Sequence, residues 1–137
     1  MHFNRGYNCA QSVLLAMAEH WGIENELIPK VATGFGGGIG RCGSVCGALV
    51  GGIMAIGVKY GSNEPYAEKR REAYELSEKL YRQFQKQHRS VLCKELIGYT
   101  LCDPEDLEKA RREKVFEERC TVFVGSVVEM LLALSER

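Results

Sequence analysis

Between Val45 and Val58 the chain carries no polar side chain: the segment consists of aliphatic residues, Cys46, Met54 and four glycines. A helix of that composition is apolar nearly all round, so other elements must surround it. The run is too short to span a bilayer comfortably. It is therefore the centre of a helical bundle, expected as a helix over residues 43–60. A chain of 137 residues is long enough for one such core and too short to expect two. Gly43, Gly47 and Gly51 recur every four residues and flatten one side of the helix. Such a stripe admits another backbone at close range, either a neighbouring helix or the second subunit of a homodimer.

The flanking segments also read as helices. Asn8 caps a helix over residues 9–21, with Ala10, Val13, Leu14, Met17 and Trp21 at helical spacing and Gly22 closing it. A short helix is expected over residues 24–33, followed by the glycine loop 34–40. Gly61–Pro65 is a turn leading into an amphipathic helix that runs to residue 87. Its buried stripe is Ala73, Leu76, Leu80 and Phe84, and Glu75 with Lys79 and Glu78 with Arg82 form i,i+4 ion pairs. Residues 93–97 form one helical turn ended by Gly98. Asp103 and Pro104 open a charged helix that breaks near Glu117, and residues 121–134 form the last helix. No segment alternates as a strand does. The fold class is all-α, a single-domain bundle of five to seven helices.

Lys and Arg number 18 and Asp and Glu number 18, so the formal net charge is zero. That balance offers no electrostatic reason to bind nucleic acid or an anionic membrane. The arginine-rich stretches are interleaved with acids, as on a solvated helix face. The amino terminus carries neither a signal pattern nor a twin arginine, so a cytoplasmic location is expected. There the redox poise disfavours structural disulfides, and six cysteines point to metal, cluster or catalytic thiols.

Other motifs are weak. Gly38-Ile39-Gly40-Arg41-Cys42-Gly43 matches the dinucleotide fingerprint formally but lacks the flanking strands, and no lysine stands where a P-loop needs one. No nucleotide is expected. His2, His20 and His88 form no constellation and read as solvated. Tyr74 and Tyr81 lie two turns apart on one helix face, as a core edge does. No Cys-x-x-Cys-His occurs, so no covalent haem is expected.

The cysteines carry the chemistry. Cys9, Cys46, Cys93 and Cys120 each stand where a helix is expected to begin. Free N–H groups and partial positive charge at a helix N-terminus stabilise thiolates and anionic clusters. Cys42 and Cys46 flank the start of the central helix and suit a shared metal or a reversible disulfide. Spacing alone decides no pairing. Buried cysteines that pack as small hydrophobes account for one or two of the six, less well for four at helix starts.

Tyr7-Asn8-Cys9-Ala10-Gln11, Gly36-Gly37-Gly38, Val45-Cys46-Gly47-Ala48-Leu49-Val50-Gly51, Cys93-Lys94-Glu95-Leu96 and Cys120-Thr121-Val122-Phe123-Val124 follow in that order. Together they resemble the C_GCAxxG_C_C family of redox-active proteins over almost the whole chain. The resemblance implies that Cys9, Cys46, Cys93 and Cys120 are the family's four defining cysteines, with Cys42 and Cys102 particular to this chain. The family is similar to the iron–sulfur part of split-Soret cytochromes c, of which only the cluster half transfers here. The leading expectation is electron transfer or redox sensing through an iron–sulfur cluster held by those four thiolates. The alternatives are a metal-free dithiol–disulfide oxidoreductase or thiol sensor, with Cys46 attacking and Cys42 or another cysteine resolving, and then a structural zinc domain. The redox partner is a protein that the sequence does not identify.

Overall fold

The computed structural model describes residues 3–135; the expectation for His2 falls outside them. The chain forms α1 (Cys9–His20), α2 (Gly47–Tyr60), α3 (Arg71–His88), α4 (Cys93–Ile97), α5 (Pro104–Arg112) and α6 (Thr121–Ser135). Short 3-10 segments lie at Phe3–Arg5, Lys30–Phe35 and Ala67–Arg70, and a π turn at Phe116–Cys120 leads directly into α6. Among the described residues no strand occurs; extended chain pairs only as an isolated antiparallel bridge between Val45 and Leu92. The architecture is all-α.

Helix α2 is the hub, packed against α1, α3 and α6, and α6 closes the bundle against α1 and α3. The buried faces meet around Leu14 and Met17 of α1, Leu49 and Ile56 of α2, Leu80 and Phe84 of α3, and Val127 and Leu131 of α6. Glycine makes the approach possible on two sides. A Cβ on Gly51 would collide with the Ala10 carbonyl oxygen and lie 2.9 Å from Ala10 Cα. A Cβ on Gly47 would sit 2.9 Å from the Phe35 carbonyl oxygen and 3.3 Å from Cys9 Cβ. On the next face, one on Gly52 would lie 2.6 Å from Val127 Cγ1 and 2.9 Å from Leu80 Cδ2. The stripe of Gly47 and Gly51 therefore serves the contact between α2 and α1 within the chain.

Several expected boundaries move, each for a local reason. Helix α2 starts at Gly47, not residue 43, because Gly43 has a left-handed φ of +74° and Val45 is held extended by its bridge to Leu92. The expected helix over 24–33 is absent. Pro29 lacks the N–H and disfavours helix for the residue before it, and the chain makes only turns and the 3-10 segment Lys30–Phe35. The break expected near Glu117 falls at Glu113–Lys114, where Lys114 adopts φ +56°. From Val115 onward the chain is helical without interruption to Ser135.

On α3, Leu80 and Phe84 are buried while Ala73 and Leu76 are only partly so. The Glu78–Arg82 pair forms at 3.3 Å, and no Glu75–Lys79 pair accompanies it among the described residues. Tyr74 is 66% exposed and Tyr81 37%, so this face is solvated and not a core edge. His20 is exposed as expected. His88 is not: its ring packs on Phe84 and Phe123, its Nε2 lies 2.9 Å from Ser126 Oγ, and burial lowers its pKa.

The glycine contacts set opposite expectations for two alanine substitutions in one helix. Gly51→Ala overpacks the α1–α2 contact and lowers unfolding stability by about 1–3 kcal/mol. Gly57, whose added Cβ meets nothing within 4 Å, gains about 0.5–1 kcal/mol on Gly57→Ala. Urea unfolding midpoints of the two variants check both signs.

Candidate functional site

Four segments bring the four family cysteines to one place. Cys9 is the first residue of α1, behind a complete capping box. The Asn8 Oδ1 accepts from the Gln11 amide at 2.9 Å, and the Gln11 Oε1 accepts from the Asn8 amide at 3.1 Å. The same two side chains also grip the glycine loop: Asn8 Nδ2 donates to the Thr33 carbonyl at 2.9 Å and Gln11 Nε2 to Thr33 Oγ1 at 3.1 Å. Gln11 and Thr33 are thus positioning residues for Cys9. The Asn8 cap was legible in the sequence, but the role of Gln11 and its partner twenty-two residues away were not.

Cys46 and Cys93 are set side by side by the bridge between their segments. The Cys46 amide donates to the Val91 carbonyl and the Cys93 amide to the Ser44 carbonyl, both at 2.7 Å. The glycine loop lies over them, and a Cβ on Gly38 would sit 2.7 Å from Cys93 Cβ and 2.6 Å from the Ser44 nitrogen. From Gly37 to Arg41 five consecutive residues have φ between +54° and +71°. This left-handed run needs its glycines, because only glycine enters that region without a steric cost. Ser90 supports the turn before Cys93, accepting from the Leu92 amide at 3.0 Å and donating to Glu95 at 2.8 Å.

Cys120 reaches the group from the π turn. Its neighbour Arg119 donates to the Ile97 carbonyl at 3.3 Å, tying the turn to the end of α4. Because the π turn runs straight into α6, Cys120 does not stand at a free helix N-terminus as expected. π turns widen a helix locally and recur at functional sites.

Together Cys9, Cys46, Cys93 and Cys120 line a single cavity of about 30 Å³, with Gly37, Gly47 and apolar side chains such as Leu96, Leu101 and Phe123 completing it. Cys46, Cys93 and Cys120 are buried and Cys9 half-buried. Cys42 and Cys102 are exposed and do not line it, so Cys42 is no partner for Cys46 there. All six cysteines are free thiols.

Protonation within the group is uneven. Burial pushes the Cys46 thiol up to about 11, although the Leu49 and Ala48 amides at the start of α2 act in the opposite direction. Burial, then the neighbouring charges of Cys46 and Cys120, pushes Cys93 up to about 12. Hydrogen bonding to Cys120, with burial second, raises Cys9 well above the ordinary thiol range. The same hydrogen bond lowers Cys120, against burial and the Glu117 charge. The helix N-terminus does stabilise the Cys46 thiolate, but desolvation outweighs it. Desolvation thus reverses the lowered pKa expected of Cys46, and of the four thiols Cys120 is the one moved toward the thiolate.

Four thiols gathered in a largely dry cavity resist joint ionisation because each negative charge raises the others, unless a cation compensates them. The donor set therefore fits a thiolate-bound metal group. Among the described residues no three Cys, His, Asp or Glu side chains are gathered as a single metal ion requires.

Residues 7–134 match the protein family described as "Putative redox-active protein (C_GCAxxG_C_C)". The chain belongs to this family. It is also 47% identical over 53 residues to a protein of Archaeoglobus fulgidus named "Uncharacterized protein". That match spans 38% of this chain and 35% of the archaeal one. No solved structure matches the chain. Membership of a redox-active family agrees with the convergence of the four cysteines. No helix among the described residues is long and apolar enough to cross a membrane.

The interaction of Cys9 with Cys120 has a measurable consequence in metal-free, reduced protein carrying Cys42→Ser and Cys102→Ser. Since the Cys120 pKa is depressed, its thiolate absorbance near 240 nm appears at lower pH than that of the other three. Cys9→Ala removes the donor, and the first thiolate step then moves to higher pH. A first step that stays in place on Cys9→Ala would refute the assignment.

Proposed function

We propose that Cys9, Cys46, Cys93 and Cys120 hold an iron–sulfur cluster, and that the protein carries or senses electrons for a protein partner in the cytoplasm. The observation that carries this reading is the convergence of four thiols, drawn from four separate segments, on one cavity. A bound cluster supplies reversible one-electron chemistry. The chain's own groups supply the rest. Ala48 and Leu49 direct amides toward the Cys46 sulfur, and hydrogen bonds to cluster-ligating sulfur tune the potential. Leu96, Leu101 and Phe123 exclude water from the same cavity. Holding the group requires the side chains around the 30 Å³ cavity to move apart. Cys9, Leu96 and Phe116 are the less buried of them.

One observation favours a second reading, metal-free dithiol chemistry: Cys9 and Cys120 line one cavity, and the interaction with Cys9 lowers the Cys120 pKa. There the Cys120 thiolate attacks one sulfur of a partner disulfide and expels the other as thiolate. Cys9 then displaces the remaining partner sulfur, leaving a Cys9–Cys120 disulfide and a reduced partner.

Protein purified anaerobically is expected to be brown, with visible absorption bands and matching iron and acid-labile sulfide. Alanine at Cys9, Cys46, Cys93 or Cys120 lowers the iron content sharply, whereas Cys42→Ala and Cys102→Ala preserve it. A colourless protein that also fails reconstitution would reject the cluster in favour of the dithiol pair.

A further inference from the structure

Beside the thiol cavity lies a larger one, of about 490 Å³, and Cys9, Gly37, Leu101 and Phe116 line both. Its size falls within the range of small-molecule sites. One wall is apolar, built by Phe3, Leu101, Leu107 and Phe116. The glycine loop also lines it, and the Gly37 amide donates to no acceptor among the described residues. Two cations, Arg41 and Arg111, line the cavity, and no aspartate or glutamate does. In a chain with equal numbers of acids and bases that local imbalance is informative.

Among the described residues neither Arg41 nor Arg111 has an ion-pair partner, whereas Arg119 is committed to the end of α4. Both are exposed, and the structure fixes where their stems emerge. The Arg41 stem packs on Gly37, where an added Cβ would lie 2.9 Å from both Arg41 Cα and Cγ. Arg111 follows Leu107 by one turn of α5, so both present to the cavity. That helix is anchored by the fully buried Ala110 and by the Asp103 cap at its other end. The arginine-rich stretch expected as a solvated face thus contributes one residue to a cavity.

We propose that this cavity binds a small organic anion, an apolar body bearing a carboxylate or phosphate head. Arg41 and Arg111 take the head, the Phe3, Leu101, Leu107 and Phe116 wall takes the body, and the ligand lies against the Cys9 side of the thiol group. Guanidinium groups recognise both head groups through charge-assisted hydrogen bonds, and the unoccupied amide of Gly37 adds a neutral donor. Binding stands on the cavity itself. That the ligand serves as substrate or effector of the thiol centre rests on the redox function proposed above.

Calorimetric titration of the full chain, purified anaerobically, with phenyl phosphate, benzoate and neutral benzamide tests the inference. Both anions are expected to bind, and benzamide at least about tenfold more weakly, because it lacks the charge the arginines recognise. The stronger of the two anions identifies the head group. Arg41→Gln with Arg111→Gln weakens anion binding by at least about tenfold while leaving benzamide unchanged, and circular dichroism confirms the fold of the variant. Equal affinity for benzamide and benzoate, unchanged binding in the double variant, or no binding of either anion at millimolar concentration overturns the proposal. Iron and sulfide are assayed on the same preparation. Anion binding to protein that holds no cluster retains the site and rejects the cluster; a cluster without anion binding does the reverse.

Discussion

The close approach of the α1 backbone to α2 is the contact on which the thiol group depends. Gly47 and Gly51 remove the side chains that would hold the two helices apart, and Gly47 places the start of α2 directly against Cys9 and the Phe35 carbonyl. Cys46 is the N-cap of α2, so shortening the α1–α2 distance also brings Cys9 toward Cys46. The bridge from Val45 to Leu92 then adds Cys93, and the π turn adds Cys120. Each cysteine is delivered by a backbone constraint, so the group does not rest on side-chain rotamers alone.

Two physical effects oppose each other at that group. Helix-start amides favour a thiolate at Cys46, and burial disfavours it. The dry environment wins for Cys46 and Cys93, whereas the interaction between Cys9 and Cys120 raises the first and lowers the second. Such a group can store negative charge only with a compensating cation or with protons left on its neighbours.

Cys9 stands between the buried group and the larger cavity, and it is the least enclosed of the four. The Asn8–Gln11 cap joins the two regions, because it closes the start of α1 and holds Thr33 at the head of the glycine loop. The loop in turn covers Cys93 with Gly38 and supports Arg41 with Gly37. One short, left-handed segment therefore shapes both cavities.

Much of this was legible in one dimension. The apolar, glycine-punctuated segment required a central helix, the Asn8 and Asp103 caps marked two helix starts, and the four motif cysteines carried the family and its redox class. Local composition encodes such features, because capping, helical periodicity and turn chemistry act over a few residues. The tertiary structure decided what depends on distant partners. It turned the glycine stripe toward α1, drew His88 against Phe84, Phe123 and Ser126, and fused Cys120 into a continuous helix. It excluded Cys42 from the thiol group and moved the Cys46 pKa up and the Cys120 pKa down, since a thiol's ionisation follows its burial and its neighbours in space. It also turned two arginines from a balanced chain toward one cavity. Spacing along the chain holds no record of that, because the residues around them converge only when the bundle closes.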